Sequence, residues 1–431
     1  MADRHGQVAA LDDAAAESGG GFARLCAVVL LPFAAGYFLS YLFRAVNAVV
    51  APDIVSEFQL GAAALGVLTA AYLLAFSVFQ PVLGVLLDRF GPRRVQAALI
   101  ATAACGALLF ALARDAATLT VARGLIGLGF SGGLMASFKA VVLWFPERRV
   151  PLASSLVVAF GALGVVVATR PADLLIQVVG WREMFLGLAL LTAAVATAIF
   201  VVVPERPGDQ VSAPLMRQVR ELLRIYRDRV FWRLAPLVCS TAGGYIAIQT
   251  LWIGNWLRDV AGLSRGVAAE LMMATAVAFS VGMLVQGIIA DRLLKRGVGV
   301  MATVICSLVP FFLCELGIAA QWTAASWPLW IVFGMTGSVA VLAFPVLSRH
   351  FGPALAGRSG TSLNLLVFAT AFAAQAAIGA LLELWPIDEG RYAPEAYGVA
   401  FAALLSIQLC SLAWYWYAGR RVTRSAAPPG R

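Results

Sequence analysis

Long apolar segments alternate with short polar ones along almost the whole chain. Twelve apolar segments can be delimited, and each approaches the ~20 residues that a helix needs to cross the hydrocarbon of a bilayer. The segments are 26–52, 62–86, 95–113, 118–145, 152–175, 184–203, 234–257, 267–289, 298–319, 327–348, 361–385 and 398–418. The pattern therefore predicts an all-α integral membrane protein with twelve transmembrane helices.

Two short bursts of glycine and charge interrupt the apolar pattern. The first runs from Gly84 to Arg94 and the second from Gly287 to Gly297, and both read Gly-x-x-x-Asp-Arg with basic residues shortly after. Their first glycines are 203 positions apart, close to half of the 431 residues. A repeat of this length predicts a doubled structure in which each half supplies six helices.

The polar stretches divide the chain into five regions. We expect a disordered cytoplasmic tail (1–23), an N-terminal six-helix bundle (24–203), a cytoplasmic linker (204–233), a C-terminal six-helix bundle (234–418) and a cytoplasmic tail (419–431). The linker interleaves arginines with apolar residues at helical spacing, which indicates an amphipathic helix on the membrane surface. The first tail lacks the basic start and the cleavage site of a signal peptide.

Composition and charge agree with a membrane protein. Hydrophobic residues make up 61% of the chain and charged residues 13%, whereas soluble proteins are about a quarter charged. The net charge of +9 does not indicate a nucleic-acid partner, because the basic residues lie in short loops between apolar segments. With the N-terminus inside, the cytoplasmic loops and tails hold 23 Lys or Arg and the opposite loops hold five. This asymmetry predicts a multi-pass protein of the cytoplasmic (inner) membrane with both termini in the cytoplasm.

Side chains that support enzymatic or metal chemistry are sparse. The six cysteines lie singly in apolar segments, and His5 and His350 lie in a tail and at a helix end. Gly127, Gly129 and Gly132 match the dinucleotide pattern G-x-G-x-x-G, but that motif needs a strand before it, and here it lies inside a membrane segment. We interpret these glycines as small residues for tight helix packing. We therefore expect a protein that is not an enzyme and holds no cofactor and no metal.

Three arginines lie within the apolar segments of the N-terminal half. Arg44, Arg123 and Arg170 fall roughly 8–12 Å below the outer surface, at ~1.5 Å per helical residue. A basic side chain at mid-membrane depth costs about 2.5–3.5 kcal/mol, so such residues usually mark a pathway or an ion pair. Asp173 lies three residues after Arg170 and can fold back on it, but no acid of this half lies as deep. Because arginine binds carboxylates bidentately, the charge predicts an anionic ligand.

The acids of the C-terminal half lie nearer the helix ends, and this half has no basic residue in mid-segment. These acids are Glu270, Glu315 and Glu383.

The first burst of charge resembles the loop between helices 2 and 3 of the major facilitator superfamily, and the second resembles its counterpart between helices 8 and 9. Within that superfamily, the first half of the chain is similar to the anion:cation symporter branch, which includes sugar-acid and vesicular glutamate transporters. The similar stretches are Tyr-Leu-Phe-Arg-Ala-Val-Asn (41–47), Arg-Gly-Leu (123–125), Phe-Lys-Ala-Val-Val-Leu-Trp-Phe-Pro-Glu-Arg-Arg (138–149) and Gly-Trp-Arg (180–182). The resemblance implies two pseudo-symmetric six-helix bundles that rock around a midplane site.

The same resemblance assigns roles to particular residues. Arg44 and Arg123 match the arginines that bind the substrate carboxylate in the branch, while Phe43 stands where members commonly carry an acidic proton carrier. Arg123 has a structural alternative, a hydrogen bond to the backbone of helix 1, and for Lys139 we favour a structural pair. The resemblance also implies a cytoplasmic gate, whereas the alternative is that this cluster only sets topology. The gate residues are Gly84, Asp88, Arg89, Arg93, Arg94, Asp291 and Arg292, with Gly84 allowing a close helix approach.

Polar and aromatic residues on helical faces complete the candidate binding site. The substrate-binding candidates are Arg44, Arg123, Arg170, Tyr37, Tyr41, Asn47, Gln249, Trp252 and Asn364. Tyr245, Asn255 and Gln375 are further candidates, and we interpret Trp256 as an anchor at the membrane interface.

Together these observations predict a secondary active transporter of a small organic anion, a carboxylate in the first instance. We expect it to work as a monomer in the lipid bilayer, with a proton or sodium as coupling ion. Two alternatives use the same fold. One is an exporter of drugs or hydrophobic metabolites, for which a less basic cavity is expected, and the other is a membrane sensor that binds without transporting.

Overall fold

The computed structural model describes residues 19–146, 149–204, 215–337, 339–352, 355–386 and 391–425, and these ranges are almost entirely helical. The N-terminal helices are α1 Gly19–Leu25, α2 Leu31–Ala45, α3 Asn47–Phe58, α4 Ala62–Leu87, α5 Arg89–Leu112, α6 Ala116–Phe130, α7 Gly133–Trp144, α8 Val150–Val167, α9 Arg170–Val179 and α10 Trp181–Val202. The linker contains α11 Leu215–Tyr226. The remaining helices are α12 Arg229–Ala247, α13 Ile253–Asp259, α14 Arg265–Lys295, α15 Val300–Ala319, α16 Ser326–Gly337, α17 Ala343–Phe351, α18 Ala356–Leu382 and α19 Pro394–Ser425.

The predicted all-helical membrane fold is confirmed. Ten helices in the described ranges are long and apolar enough to cross a membrane, and the bent pair α8–α9 makes an eleventh. The predicted segment 327–348 is divided between α16, a 3₁₀ turn at Val339–Leu342 and α17. Helices also extend past the predicted boundaries of both tails: α1 begins at Gly19 and α19 runs to Ser425, while residues 1–18 lie outside the described ranges.

Glycines bring the helices of the N-terminal bundle into backbone contact. A Cβ at Gly127 would lie 2.1 Å from the carbonyl oxygen of Tyr72, and one at Gly129 would lie 2.4 Å from the amide nitrogen of Ala103. Helix α6 can therefore pack directly on α4 and α5 only because these positions carry no side chain. The helix-packing interpretation of the G-x-G-x-x-G pattern is confirmed.

The turn between α4 and α5 depends on a single glycine. Gly91 has φ +75°, a left-handed conformation that glycine adopts without strain, and Pro92 follows it. We call the side of the molecule that carries this turn, α11 and the C-terminal end of α19 the terminal face. The opposite face carries the connections near Gln59, Gly180, Gly262 and Leu384.

The two bundles meet along two pairs of helices. Helix α4 packs against α18, and α8 together with α9 packs against α14. In the internal repeat α4 corresponds to α14 and α8 to α18, so the two contacts are related by the same two-fold pseudosymmetry. A central zone between the bundles is therefore bordered by α2 and α4 on one side and by α12 and α18 on the other.

Candidate functional site

Arg44 lies in the central zone between the two bundles. It lies in the last turn of α2 and is partly exposed. Its guanidinium carbon is 4.0 Å from the ring centre of Tyr41 and 5.7 Å from that of Phe368 on α18. Among the described residues, no carboxylate forms an ion pair with it. The unneutralised charge expected from the sequence is therefore present at this position.

Four tyrosines surround this guanidinium group. The hydroxyls of Tyr37 and Tyr41 are 3.2 Å apart, and Tyr72 donates its hydroxyl to the carbonyl of Ser40 at 3.2 Å. Tyr245 approaches from α12, near enough to interact electrostatically with Arg44. Its ring stacks on Phe279 at 5.3 Å, and its buried hydroxyl has no partner among the described residues. The surroundings of Arg44 are thus aromatic and rich in phenol donors, and they come from both bundles.

Glycines fix the position of this aromatic group. A Cβ at Gly161 on α8 would lie 2.6 Å from the ring of Tyr37, and one at Gly337 on α16 would lie 2.3 Å from the ring of Tyr245. Each ring therefore lies directly on the backbone of a neighbouring helix, and its orientation is set by packing.

Arg123 occupies a different environment from Arg44. Only 1% of its surface is exposed, and it donates a hydrogen bond to the carbonyl of Phe43 at 3.0 Å. The break at Val46 ends α2, and the last carbonyls of a helix lack partners within it. Arg123 supplies such a partner and also lies 5.2 Å from the ring of Tyr72. The structure therefore matches the structural alternative and leaves Arg123 without exposed surface for a ligand.

Arg170 has carboxylate partners, so the expectation of an unneutralised charge is wrong at this position, whereas the predicted contact with Asp173 is confirmed. It donates to the carboxylate of Asp173 at 2.8 Å and lies 3.8 Å from Glu270 of the C-terminal bundle. Arg170 and Asp173 meet because helix positions three apart share a face. Glu270 approaches them from α14. Arg170 belongs to an ion-pair cluster at the opposite face.

This cluster joins the two bundles. Arg265, the first residue of α14, binds both carboxylate oxygens of Asp53 at 2.9 and 2.8 Å and donates its Nε to Asp173 at 2.6 Å. The Asp173 carboxylate is completely buried and also accepts hydrogen bonds from Arg170 and Gln177, each at 2.8 Å. We call this set of Asp53, Arg170, Asp173, Arg265 and Glu270 the lock. It joins the two bundles at the opposite face. The sequence alone did not indicate that these residues meet across the bundles.

The other predicted binding residues differ in how far they are exposed. Gln249 and Asn364 are partly exposed. Asn47 is completely buried and donates to Thr69 at 2.8 Å, so it joins α3 to α4 within one bundle. Trp252 is completely buried in the π-helical turn Ile248–Trp252. For Asn47 and Trp252, burial leaves no exposed surface toward a ligand.

Two further candidates, Asn255 and Gln375, and the expected anchor Trp256 also lie inside the C-terminal bundle. Asn255 is buried, and Gln375 joins α18 to the π-helical turn Ile248–Trp252 by donating a 2.7 Å hydrogen bond to Thr250. Trp256 was expected at the membrane interface, but this expectation is wrong. The residue is completely buried, with its ring 5.5 Å from Trp330. An apolar helix does not show by composition which of its sides faces lipid and which faces protein.

The gate motif lies at the terminal face, but its glycine does not make the expected close contact. Gly84 is exposed and borders a cavity of about 300 Å³ between the bundles. Arg93 donates two hydrogen bonds to the carbonyl of Phe200, at 2.9 and 2.5 Å, at the end of α10. A cation at that end is favoured because the last carbonyls of a helix carry partial negative charge.

The other arginines of the gate motif lie at the surface. Arg89, Arg94 and Arg292 are exposed, and Arg89 lies against the ring of Phe90 at 5.2 Å. The side chains of Asp88 and Asp291 lie outside what the structure describes.

Lys139 and the linker helix border the same cavity. Lys139 donates to the carbonyl of Leu87 at 2.9 Å, which agrees with a structural role. Leu222 of α11 lines the cavity, Glu221 forms an ion pair with Arg358 on α18, and Tyr226 donates to the carbonyl of Ser362 at 3.4 Å. The linker helix is therefore docked on the C-terminal bundle.

The sequence interpretation missed Tyr72, Phe368 and Arg265. Tyr72 could have been found as a tyrosine in the middle of an apolar segment, as Tyr37 was. Phe368 is an ordinary residue of its segment, and Arg265 lies in the connection before the segment 267–289. Only the packing of one bundle on the other brings them to Arg44 and to Asp173.

Comparison with known proteins places this geometry in a family. The model of the Major Facilitator Superfamily matches residues 33–375. The chain is 24% identical to a probable sulfoacetate transporter, SauU, of Cupriavidus necator (60% of this chain, 64% of that protein) and 28% identical to a hexuronate transporter of Escherichia coli (46% and 50%). It is 25% identical to a probable L-galactonate transporter of Escherichia coli, over 66% of each chain. The matches thus span about half to two thirds of these relatives.

Solved structures share the fold at low sequence identity. A bacterial homologue of the human lysosomal transporter Spinster, in an inward-facing and unoccupied conformation, superposes with a TM-score of 0.70 at 16% identity, over 93% of this chain and 98% of its own. A mutant of the nucleoside transporter NupG superposes with a TM-score of 0.72 at 12% identity, over 90% of this chain and 99% of its own. With the family model covering most of the sequence, the chain belongs to the Major Facilitator Superfamily.

Proposed function

We propose that this membrane protein is a secondary transporter of small organic anions that carry a carboxylate or sulfonate group. The observation that carries the proposal is the Arg44 guanidinium, which lies between the bundles without a carboxylate partner among the described residues. An unpaired cation at this depth is costly, and a bound anion would offset that cost through bidentate hydrogen bonds. Relatives named for sulfoacetate, hexuronate and galactonate transport support the same class of substrate.

The surroundings of Arg44 also favour a substrate with hydroxyl groups. The phenols of Tyr37, Tyr41 and Tyr245 come from both bundles and supply hydrogen-bonding groups around Arg44. A sugar acid presents such hydroxyls next to its carboxylate. A purely apolar drug would leave these polar groups unsatisfied, which makes a drug exporter the less favoured alternative.

We propose that transport proceeds by alternating access, with both termini in the cytoplasm of a cell whose inner membrane holds the protein. Two observations support this proposal: the lock joins the bundles at the opposite face, and a cavity of about 300 Å³ lies between the bundles at the terminal face. Breaking the lock would let the bundles rock around Arg44. In this scheme the present conformation is the one closed toward the outside.

The test is uptake into proteoliposomes of sulfoacetate, galactonate and a hexuronate by the wild type and by Arg44 variants. If Arg44 makes two charge-assisted hydrogen bonds to the substrate, Arg44→Ala loses about 3 kcal/mol, or about 100-fold in affinity. Arg44→Lys keeps the charge without the bidentate geometry and should recover only part of the loss. Arg114→Ala removes an equal charge from an exposed loop and serves as the matched control.

The outcomes separate the candidate functions. Anion uptake that persists at the wild-type level in Arg44→Ala would refute the proposed site. Anion binding without flux would favour a sensor, and transport of hydrophobic compounds independent of Arg44 would favour an exporter.

A further inference from the structure

The Glu315 carboxyl is buried inside the C-terminal bundle, and its helix carries neither Arg44 nor any residue of the lock. Glu315 lies on α15, four residues before its end at Ala319, and is completely buried. Its Oε1 accepts a hydrogen bond from Gln408 Nε2 of α19 at 3.3 Å. Its Oε2 has no hydrogen-bond partner among the described residues, and none of their cations forms an ion pair with it.

The amide that faces this carboxyl has an unsatisfied oxygen as well. Gln408 Nε2 lies 3.4 Å from the carbonyl of Ser240 on α12, so its donors serve two oxygens, while its own Oε1 has no described partner. Two buried oxygens of this pair, Glu315 Oε2 and Gln408 Oε1, therefore have no donor among the described residues. A proton on the Glu315 carboxyl supplies that donor. Exchanging the nitrogen and oxygen of the amide does not remove the need, because the amide oxygen would then face the carboxyl oxygen.

The charges around Glu315 favour a neutral acid. An ionised carboxylate buried without a cation carries a large desolvation cost, which a protonated and hydrogen-bonded carboxyl avoids. Among the described side chains, none of the titratable groups on the helices around it bonds to its carboxyl. These groups are Arg229, Arg233, Cys239 and Tyr245 on α12, Arg265, Glu270, Arg292 and Lys295 on α14, Cys306 and Cys314 on α15, Arg349 and His350 on α17, and Glu395, Tyr397, Cys410, Tyr415 and Tyr417 on α19.

We infer that Glu315 and Gln408 form a proton-binding site, occupied by a proton in this conformation, through which pH acts on the central anion site. The connection is α12: a Cβ at Gly244 would lie 2.9 Å from Gln408 Nε2, and the next residue is Tyr245, which approaches Arg44. Loss of the proton would leave an uncompensated carboxylate against the Gln408 amide, which also contacts the Ser240 carbonyl of α12, and would change the packing of α15, α19 and α12. The action on transport rests on the proposed function, whereas the proton site itself does not.

Infrared spectroscopy of the full-length protein in liposomes tests the proton site without any transport. The wild type should show the C=O stretch of a protonated carboxyl at neutral pH, shifted in D₂O, and Glu315→Gln should lose that band. Glu270→Gln, at a side chain that is 48% exposed, should keep it and is the matched control. Gln408→Leu removes the hydrogen-bonding partner and should move the band. A Glu315→Gln spectrum identical to that of the wild type, or a band that Gln408→Leu leaves in place, would overturn the inference.

Uptake measurements test the connection to transport. An imposed proton gradient should change anion uptake by the wild type, and Glu315→Gln, which keeps the site neutral, should lose that response while still exchanging anions. A variant that responds to the gradient as the wild type does would overturn the coupling. Absence of anion uptake by the wild type would instead contradict the proposed function, and the infrared result would still decide whether Glu315 binds a proton.

Discussion

The lock at the opposite face allows a quantitative prediction about the balance between conformations. Asp173→Asn keeps the shape of the side chain but removes the negative charge that holds Arg265 across the bundle interface at 2.6 Å. A hydrogen bond between charged groups contributes about 1.5–3 kcal/mol, and the lower part of that range applies because the Arg265 side chain is 36% exposed. Taking ~1.5–2 kcal/mol, the equilibrium should move about 10- to 30-fold toward conformations with this face open.

Distances between the bundles at the opposite face measure this shift. Spin labels at Gln59 and Leu384, exposed residues of different bundles, report the separation by pulsed electron paramagnetic resonance in a cysteine-free background. Asp173→Asn should add a population with a longer distance. Gln177→Ala is the matched control, because Gln177 also bonds to Asp173 but from within the same bundle. An unchanged distance distribution in Asp173→Asn, or an equal change in Gln177→Ala, would refute a role of the lock in closing this face.

Two further predictions concern stability. Gly127→Ala should destabilise the protein in detergent by about 1–3 kcal/mol, because its Cβ would meet the Tyr72 backbone. Gly187→Ala has open space around its Cβ and should stabilise α10 by up to about 1 kcal/mol. Unfolding temperatures that change equally in both variants would contradict the packing argument. Glu57 lies near the end of α3, outside the helices that are long and apolar enough to cross a membrane, and hydrogen bonds from Arg182 and Trp181 lower its pKa. Its contribution to stability is therefore present above about pH 4.3 and is lost as pH falls through the lowered pKa. Glu57→Gln should flatten the acid limb of thermal stability measured against pH, and an unchanged limb would count against this assignment.

The three membrane arginines show how the same residue type serves three purposes. Arg44 faces the zone between the bundles, Arg123 satisfies the Phe43 carbonyl behind it, and Arg170 binds carboxylates of both bundles. The sequence places all three at a similar depth in the membrane, so depth does not distinguish their roles. The separation comes from the direction in which each helix presents its side chain.

The sequence by itself determined the membrane fold, the doubled architecture and the helix-packing role of Gly127 and Gly129. Those properties follow from hydrophobic length, repeat spacing and the absence of a side chain, which are local and readable along the chain. It also named Arg44, Tyr37 and Tyr41, which lie on one predicted helix, as candidates for the binding site. The site as far as α2 could therefore be predicted.

Only the tertiary structure decided which charges are neutralised and which polar groups face the centre. Asp173 meets Arg265 across 92 positions of sequence, and Arg44 meets Phe368 across the two bundles. Nearly every side of these helices is apolar, so periodicity does not distinguish a surface that faces lipid from one that faces a neighbouring helix. The partner of each buried charge is set by how the bundles pack, because the cost of burying a charge depends on what lies within a few ångströms of it.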